Sequence, residues 1–240
     1  MNSTIKVDVA GEVVTVRIDR EQRRIALAHH TVAALRQALK ECAASSAKLL
    51  VLTGAGNKAF CAGDDLKAYA DRTPEESRAH SEQGLRLMVE LAAMPCLTIA
   101  AVEGYCIGGG LELALNCDFR FAGEGSTFAL PEVRKLNTNP TWGGLTNLPA
   151  VVGLTRAKRL VFLGERWSAD QAFEAGLVDS VTETGHALSV AQDEAAAIAR
   201  EVDFGILRDA KAIMQSSVAR DTSGLALLNL LAERSRPFQG

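Results

Sequence analysis

Three short, largely apolar runs constrain this chain most: Leu49-Leu-Val-Leu52, Leu97-Thr-Ile-Ala-Ala-Val102 and Asp118-Phe-Arg-Phe-Ala122. A strand with one wet face alternates apolar and polar residues. A nearly continuous apolar run is instead the mark of a strand covered on both faces, as in parallel sheets. Between the first two runs, Pro74 to Met94 carries helical spacing through Leu85, Met88, Val89 and Leu91, and Pro95 stops it. Between the second and third, a glycine-rich turn over Gly104 to Gly110 leads into a helix over Leu111 to Asn116. Strand, helix, strand, helix, strand implies right-handed crossovers and layered α/β packing.

The flanks extend this pattern. Ile5 to Val9 and Val13 to Ile18 alternate around Ala10-Gly11-Glu12 and predict a hairpin. Val32, Leu35, Ala38, Leu39 and Cys42 form one helical stripe over Thr31 to Cys42. After about Pro140 the pattern turns helical, over Leu154 to Leu163, Ser168 to Ala175, Ala187 to Val202 and Ile206 to Val218, with a short strand at Leu177 to Val181. A composition shift near residues 185–205 divides the chain into a core over 1–185 and a helical region over 186–240.

Composition excludes several function classes. The net charge is −3 with no basic stripe, which argues against nucleic acid as a partner. Cys42, Cys61, Cys96, Cys106 and Cys117 contain no C-x-x-C pair, so neither a zinc site nor a disulfide framework is expected. Reduced thiols, no secretory h-region at the first residues and no long apolar run together predict a cytoplasmic chain that neither spans nor anchors to a membrane.

Three stretches carry candidate chemistry. In Ala59-Phe-Cys-Ala-Gly-Asp-Asp-Leu66, Gly63 permits a sharp bend that aims the Asp64 N–H outward; an ordinary loop with Asp64 or Asp65 as a helix N-cap is the alternative. In Gly104-Tyr-Cys-Ile-Gly-Gly-Gly-Leu-Glu-Leu113, three glycines open a helix whose free N–H groups suit negative charge, although close helix–strand packing also uses glycine. The stretch matches neither G-x-G-x-x-G nor a P-loop. Glu112 falls in the first turn of that helix among apolar neighbours, where the helix dipole favours its ionised form. A buried carboxylate needs partners or a task. Glu132, after Pro131, reads as a helix-start glutamate or as the second member of a pair.

Together these stretches resemble the crotonase (enoyl-CoA hydratase/isomerase) superfamily from about Val13 to Val181. Residues 59–66 resemble its F-[SC]-A-G-x-D-[LI] loop, and Ala101 to Ala114 its A-V-x-G-x-x-x-G-G-G-x-E-L-A stretch. Asn116-Cys-Asp-Phe-Arg, Pro131-Glu-Val and Ser168 to Val178 follow in the family's order. The resemblance implies a ββα superhelix (spiral) core with a C-terminal helical region for trimerisation and lid contacts, assembled as homotrimers or hexamers. It implies an oxyanion hole from the N–H groups of Asp64 and Gly109, and a catalytic pair in Glu112 and Glu132. Coenzyme A enters as part of an acyl-CoA substrate, with no separate cofactor and no metal. Its expected contacts are Arg24, Ala26, Leu27, Ala62, Asp64, Asp65, Leu66, Lys67, Gly108 and Gly109, with Leu85 and Trp142 at the acyl pocket. Both glutamates present favours an enoyl-CoA hydratase. The alternatives are Δ3,Δ2-enoyl-CoA isomerase, another crotonase-type lyase or hydrolase, and a non-catalytic relative.

The chain departs from the family pattern in three places. The early R-P-x-x-x-N-A-L-S segment reads Arg20-Glu-Gln-Arg-Arg-Ile-Ala-Leu-Ala28, with Ile25 in place of Asn. The P-x-x-G-G-T-Q-R-L segment reads Asn137-Thr-Asn-Pro-Thr-Trp-Gly-Gly-Leu-Thr-Asn-Leu148, which lacks the Arg and adds Trp142. Residues 222–240 lack a helical stretch that covers the site in relatives, which predicts an open acyl pocket suited to a bulky or carrier-bound acyl group.

Overall fold

The computed structural model describes residues 4–65 and 72–217. Strands β1 (Ile5–Ala10) and β2 (Val13–Ile18) form the expected antiparallel hairpin. Strands β3 (Leu49–Gly54), β5 (Leu97–Val102), β7 (Phe119–Gly123) and β10 (Ser180–Thr182) extend it in parallel, giving a six-stranded sheet in the order β1-β2-β3-β5-β7-β10.

A second sheet was not legible in the sequence. Each major strand continues into a three-residue strand that crosses to a second layer: β4 (Ala59–Cys61), β6 (Tyr105–Ile107) and β8 (Thr127–Ala129). These pair in parallel, and β9 (Arg166–Ser168) closes the edge antiparallel to β8. The Gly104–Gly110 segment, expected to be a turn, therefore contains a strand, and the following helix already begins at Gly109. Helices α1 (His29–Ala43), α2 (Pro74–Ala92) and α3 (Gly109–Leu115) complete the turns of a ββα spiral, the crotonase-type α/β architecture that the resemblance implied.

The apolar run in β3 is explained by burial on both faces. Leu50 and Leu52 belong to the core shared with α1 and α2. Leu49 and Val51 face the opposite side, against Val13, Ile99 and Ala101. That side is covered by α7 (Ala187–Glu201), whose Ala191, Ala195 and Ala199 recur every fourth residue and let the helix approach closely. Glu103 Oε1 holds its N-terminus by accepting the N–H groups of Gly185 and Ala187, each at 2.9 Å. Helix α8 (Phe204–Ser217) is pinned by Lys211, whose buried Nζ donates to Cys96 O at 2.8 Å and meets Asp118 Oδ2 at 2.7 Å.

Two boundaries differ from expectation. Helix α5 (Leu154–Lys158) gives way to a π turn over Arg159–Leu163, so the predicted helix is split. The predicted strand at Leu177 begins only at Ser180. After α6 (Ala169–Glu174), Gly176 N–H donates to Phe173 O at 2.9 Å and Leu177 N–H to Ala172 O at 2.8 Å. This is a Schellman ending, in which the apolar residue after the glycine packs back on the helix. Leu177 and Val178 are buried for that reason. All five cysteines are buried and unpaired. No helix among the described residues is long and apolar enough to cross a membrane.

Candidate active site

The two candidate loops meet at Gly63. Its φ of +88° is open to glycine, and a Cβ there would lie 3.0 Å from the Gly109 nitrogen. Leu27 N–H donates to Gly63 O at 2.8 Å, and Leu27 bridges Asp64 in parallel register. That register leaves the Asp64 N–H directed away from Leu27, and no acceptor among the described residues takes it. Gly109 is the first residue of α3, so its N–H has no partner within the helix. Two unused backbone donors thus lie side by side.

Each glycine of the triplet answers a different neighbour. A Cβ on Gly108, at φ +57°, would strike Glu132 Oε1; one on Gly109 would lie 2.7 Å from Cζ3 of Trp142; one on Gly110 would collide with the Cys61 carbonyl. Helix–strand packing accounts for Gly110 alone, and the other two open onto the candidate site.

Glu112 is buried, with its Oε1 accepting from Trp142 N–H at 2.9 Å and from Gly144 N–H at 2.8 Å. Gly144 begins α4 (Gly144–Val152), which is tied to α3 by Asn147 Nδ2 donating to Asn116 Oδ1 at 3.0 Å. The dipole expectation for Glu112 is overridden: burial pushes its pKa up to about 7 against the two N–H donors that oppose it. Glu132 opens a π turn over Glu132–Leu136 instead of a regular helix. Such turns are frequent at functional sites. Burial first, then the charge of Glu112, pushes the Glu132 carboxyl up to about 8. Its Oε2 is buried with no partner among the described residues. The two carboxylates are therefore coupled electrostatically, and burial and that coupling favour the protonated form of Glu132.

Neither Asp64 nor Asp65 caps a helix among the described residues. Asp65 pairs with Arg20 at 3.1 Å, and Arg20 also donates to Ala26 O. Asp64 receives Arg72 at two points, 2.7 and 2.9 Å, and His80 Nε2 lies 3.0 Å from its Oδ1. Burial alone would raise the Asp64 pKa, but His80 and Arg72 together bring it below the ordinary value. Sequence reading did not find Arg72, His80 or the adjoining Gly84.

Among the described residues, the expected coenzyme A contacts fall in one region. Residues 24–27 run beside 62–64, with Ala62 N–H donating to Arg24 O at 3.1 Å. Ala26 and Leu27 are buried, and Arg24 lies over the Tyr105 ring at 5.6 Å from its centroid. Ile25 stands at φ +58°, a conformation that asparagine tolerates and a β-branched residue resists. Full burial holds it there. Leu85 is half-buried; its neighbour Gly84 is the residue that meets Trp142. Leu66, Lys67 and residues 222–240 lie outside the described residues.

Comparison with known proteins places this geometry in a family. The profile of the enoyl-CoA hydratase/isomerase family matches residues 8–236. The chain is 34% identical to a putative enoyl-CoA hydratase/isomerase, YngF, of Bacillus subtilis, covering 99% of this chain and 92% of that one. It is 32% identical to a short-chain-enoyl-CoA hydratase of Clostridium acetobutylicum, covering 89% and 81%. Among solved structures, an enoyl-CoA hydratase from Bacillus anthracis superposes with a TM-score of 0.87 at 33% identity, covering 96% of this chain and 90% of that one. With matching stretches that run nearly the whole length and a shared spiral architecture, the chain belongs to the enoyl-CoA hydratase/isomerase family of the crotonase superfamily, whose members act on acyl-CoA substrates.

Proposed function

We propose that this chain is an enoyl-CoA hydratase, adding water reversibly across the 2,3-double bond of an enoyl-CoA thioester. The observation that carries the reading is the buried, electrostatically coupled pair Glu112 and Glu132 beside the unused N–H groups of Asp64 and Gly109. Hydratase names among relatives at 32% and 40% identity support it.

The thioester oxygen accepts from Asp64 N–H and Gly109 N–H. Glu112, fixed through Oε1, takes a proton from a water as the water oxygen bonds to C3. The π electrons of the double bond move toward the thioester oxygen, giving an enolate held by the two donors. Glu132, protonated near neutrality, delivers its proton to C2. One water is added; the proton left on Glu112 returns to Glu132 through solvent, restoring ionised Glu112 and protonated Glu132. An oxyanion donor is worth about 10²–10³ in rate. Positioned acid–base groups contribute roughly 10²–10⁴. These groups suffice without redox chemistry.

The test is incubation with crotonyl-CoA, following loss of the conjugated thioester absorbance and confirming water addition by mass. A gain of conjugation from a 3-enoyl-CoA, with no hydration of crotonyl-CoA, would assign the isomerase reaction instead.

A further inference from the structure

Trp142 stands where two glycines make room for it. Gly84 lies in the interior of α2, a position where glycine weakens a helix. A Cβ there would collide with Cε2 and Nε1 of the Trp142 indole. On the other side, a Cβ on Gly109 would lie 2.7 Å from Cζ3 and 2.8 Å from Cε3. The His80 ring meets the indole edge-on, with centroids 5.4 Å apart at 64°. Trp142 is 3% exposed, so the ring is clamped from three sides.

The same residue holds Glu112, since the Trp142 N–H donates to Glu112 Oε1 at 2.9 Å. Its backbone and its side chain are thus fixed to the two halves of the candidate site. An enoyl thioester whose oxygen accepts from the Gly109 N–H has its first acyl carbons beside Gly109. On the α2 side of Gly109 the space is filled by the six-membered ring of the indole.

We propose that Trp142, seated by Gly84, is the specificity-determining wall of the acyl pocket and restricts this chain to short acyl groups. The proposal rests on the enoyl-thioester reading above and names its substrate class. It runs against the open pocket expected from residues 222–240. An aromatic wall discriminates because a longer chain must displace a packed ring. Each methylene refused by a rigid pocket typically changes kcat/KM by roughly tenfold or more.

The test has a binding arm and a turnover arm, applied to the full chain and to Trp142→Ala and Trp142→Phe. Calorimetry with butyryl-CoA and dodecanoyl-CoA reads acyl fit without turnover. Hydration of crotonyl-CoA and dodecenoyl-CoA reads it during catalysis. The unsubstituted protein is expected to prefer the short acyl group by roughly tenfold or more in both arms. Trp142→Ala is expected to shift the long-to-short ratio by about tenfold or more toward the long chain, with Trp142→Phe between. Should Trp142→Ala fail to fold, as judged by circular dichroism, Trp142→Phe carries the test. Equal binding of the two saturated thioesters, or a ratio that neither variant changes, would overturn the assignment. Short-chain preference in binding with no hydration of any substrate would leave the wall in place and refute the hydratase reading.

Discussion

Arg72 grips the Asp64 carboxylate at two points, Nη1 to Oδ2 at 2.7 Å and Nη2 to Oδ1 at 2.9 Å. The backbone N–H of that same aspartate is one of the two proposed oxyanion donors. A donor aimed at developing charge is useful only while it is held in place. Arg72→Ala is therefore expected to lower kcat about tenfold with a smaller change in KM, because orientation matters more in the transition state than in substrate binding. Arg72→Lys, which keeps the charge and loses the fork, should recover only part of the loss. Steady-state kinetics on crotonyl-CoA checks both. Unchanged kcat in Arg72→Ala would remove this positioning role.

The glutamate pair should behave as a unit. Glu112→Gln and Glu132→Gln are each expected to lower kcat by roughly 10²–10⁴. The double variant should cost much less than the product of the two, because neither carboxylate works without the other. A fully multiplicative loss would mean that the two contribute independently and do not act as a unit.

The raised pKa values predict two pH effects. Hydration needs Glu112 ionised and Glu132 protonated, so kcat/KM should pass through a maximum near neutrality, bounded by the pair's two ionisations. Stability follows with a fixed sign. Both folded-state values lie above that of a free glutamate, so the native chain keeps protons that the unfolded chain has lost. That contribution is full below about pH 4 and is lost as pH rises through about 7 and about 8. Glu132→Gln is expected to raise Tm relative to the unsubstituted protein at pH values above 8, with little difference at acid pH, which thermal melts across the range would show.

Lys211 predicts a purely structural effect. Its ammonium is buried between Cys96 O and Asp118 Oδ2. Lys211→Met leaves Asp118 without its cation, a change that typically costs about 3–5 kcal/mol at a buried pair. The expected outcome is a lower Tm and faster amide exchange in α8, with the pH profile of the remaining activity unchanged.

How much of this was legible in the sequence depends on the range of the contacts. The six-stranded sheet could be read because residues such as Leu49 and Val51 must be apolar on both faces, which leaves a continuous run. The second sheet could not, because strands of three residues are too short for a two-residue alternation to stand out. Asp64, Gly109, Glu112 and Glu132 lie in compact local motifs, and the fold brings all four together. Arg72 and His80 carry no local pattern, since their meaning comes from their contacts with Asp64. Gly84 was the one available signal: a glycine inside a well-patterned helix asks what fills the space, and the answer is Trp142. The expectation that the helix dipole keeps Glu112 ionised is overridden, because a helix of seven residues could not outweigh complete burial.

The central claim is that the Asp64 and Gly109 donors and the two glutamates together carry water addition through an enolate. Hydration of crotonyl-CoA in deuterium oxide, read by mass spectrometry, tests it most directly. The expected product is a 3-hydroxyacyl-CoA carrying one deuterium at C2, formed at least about a hundredfold more slowly by Glu132→Gln. Product with no carbon-bound deuterium at C2, or full activity in Glu132→Gln, would contradict it.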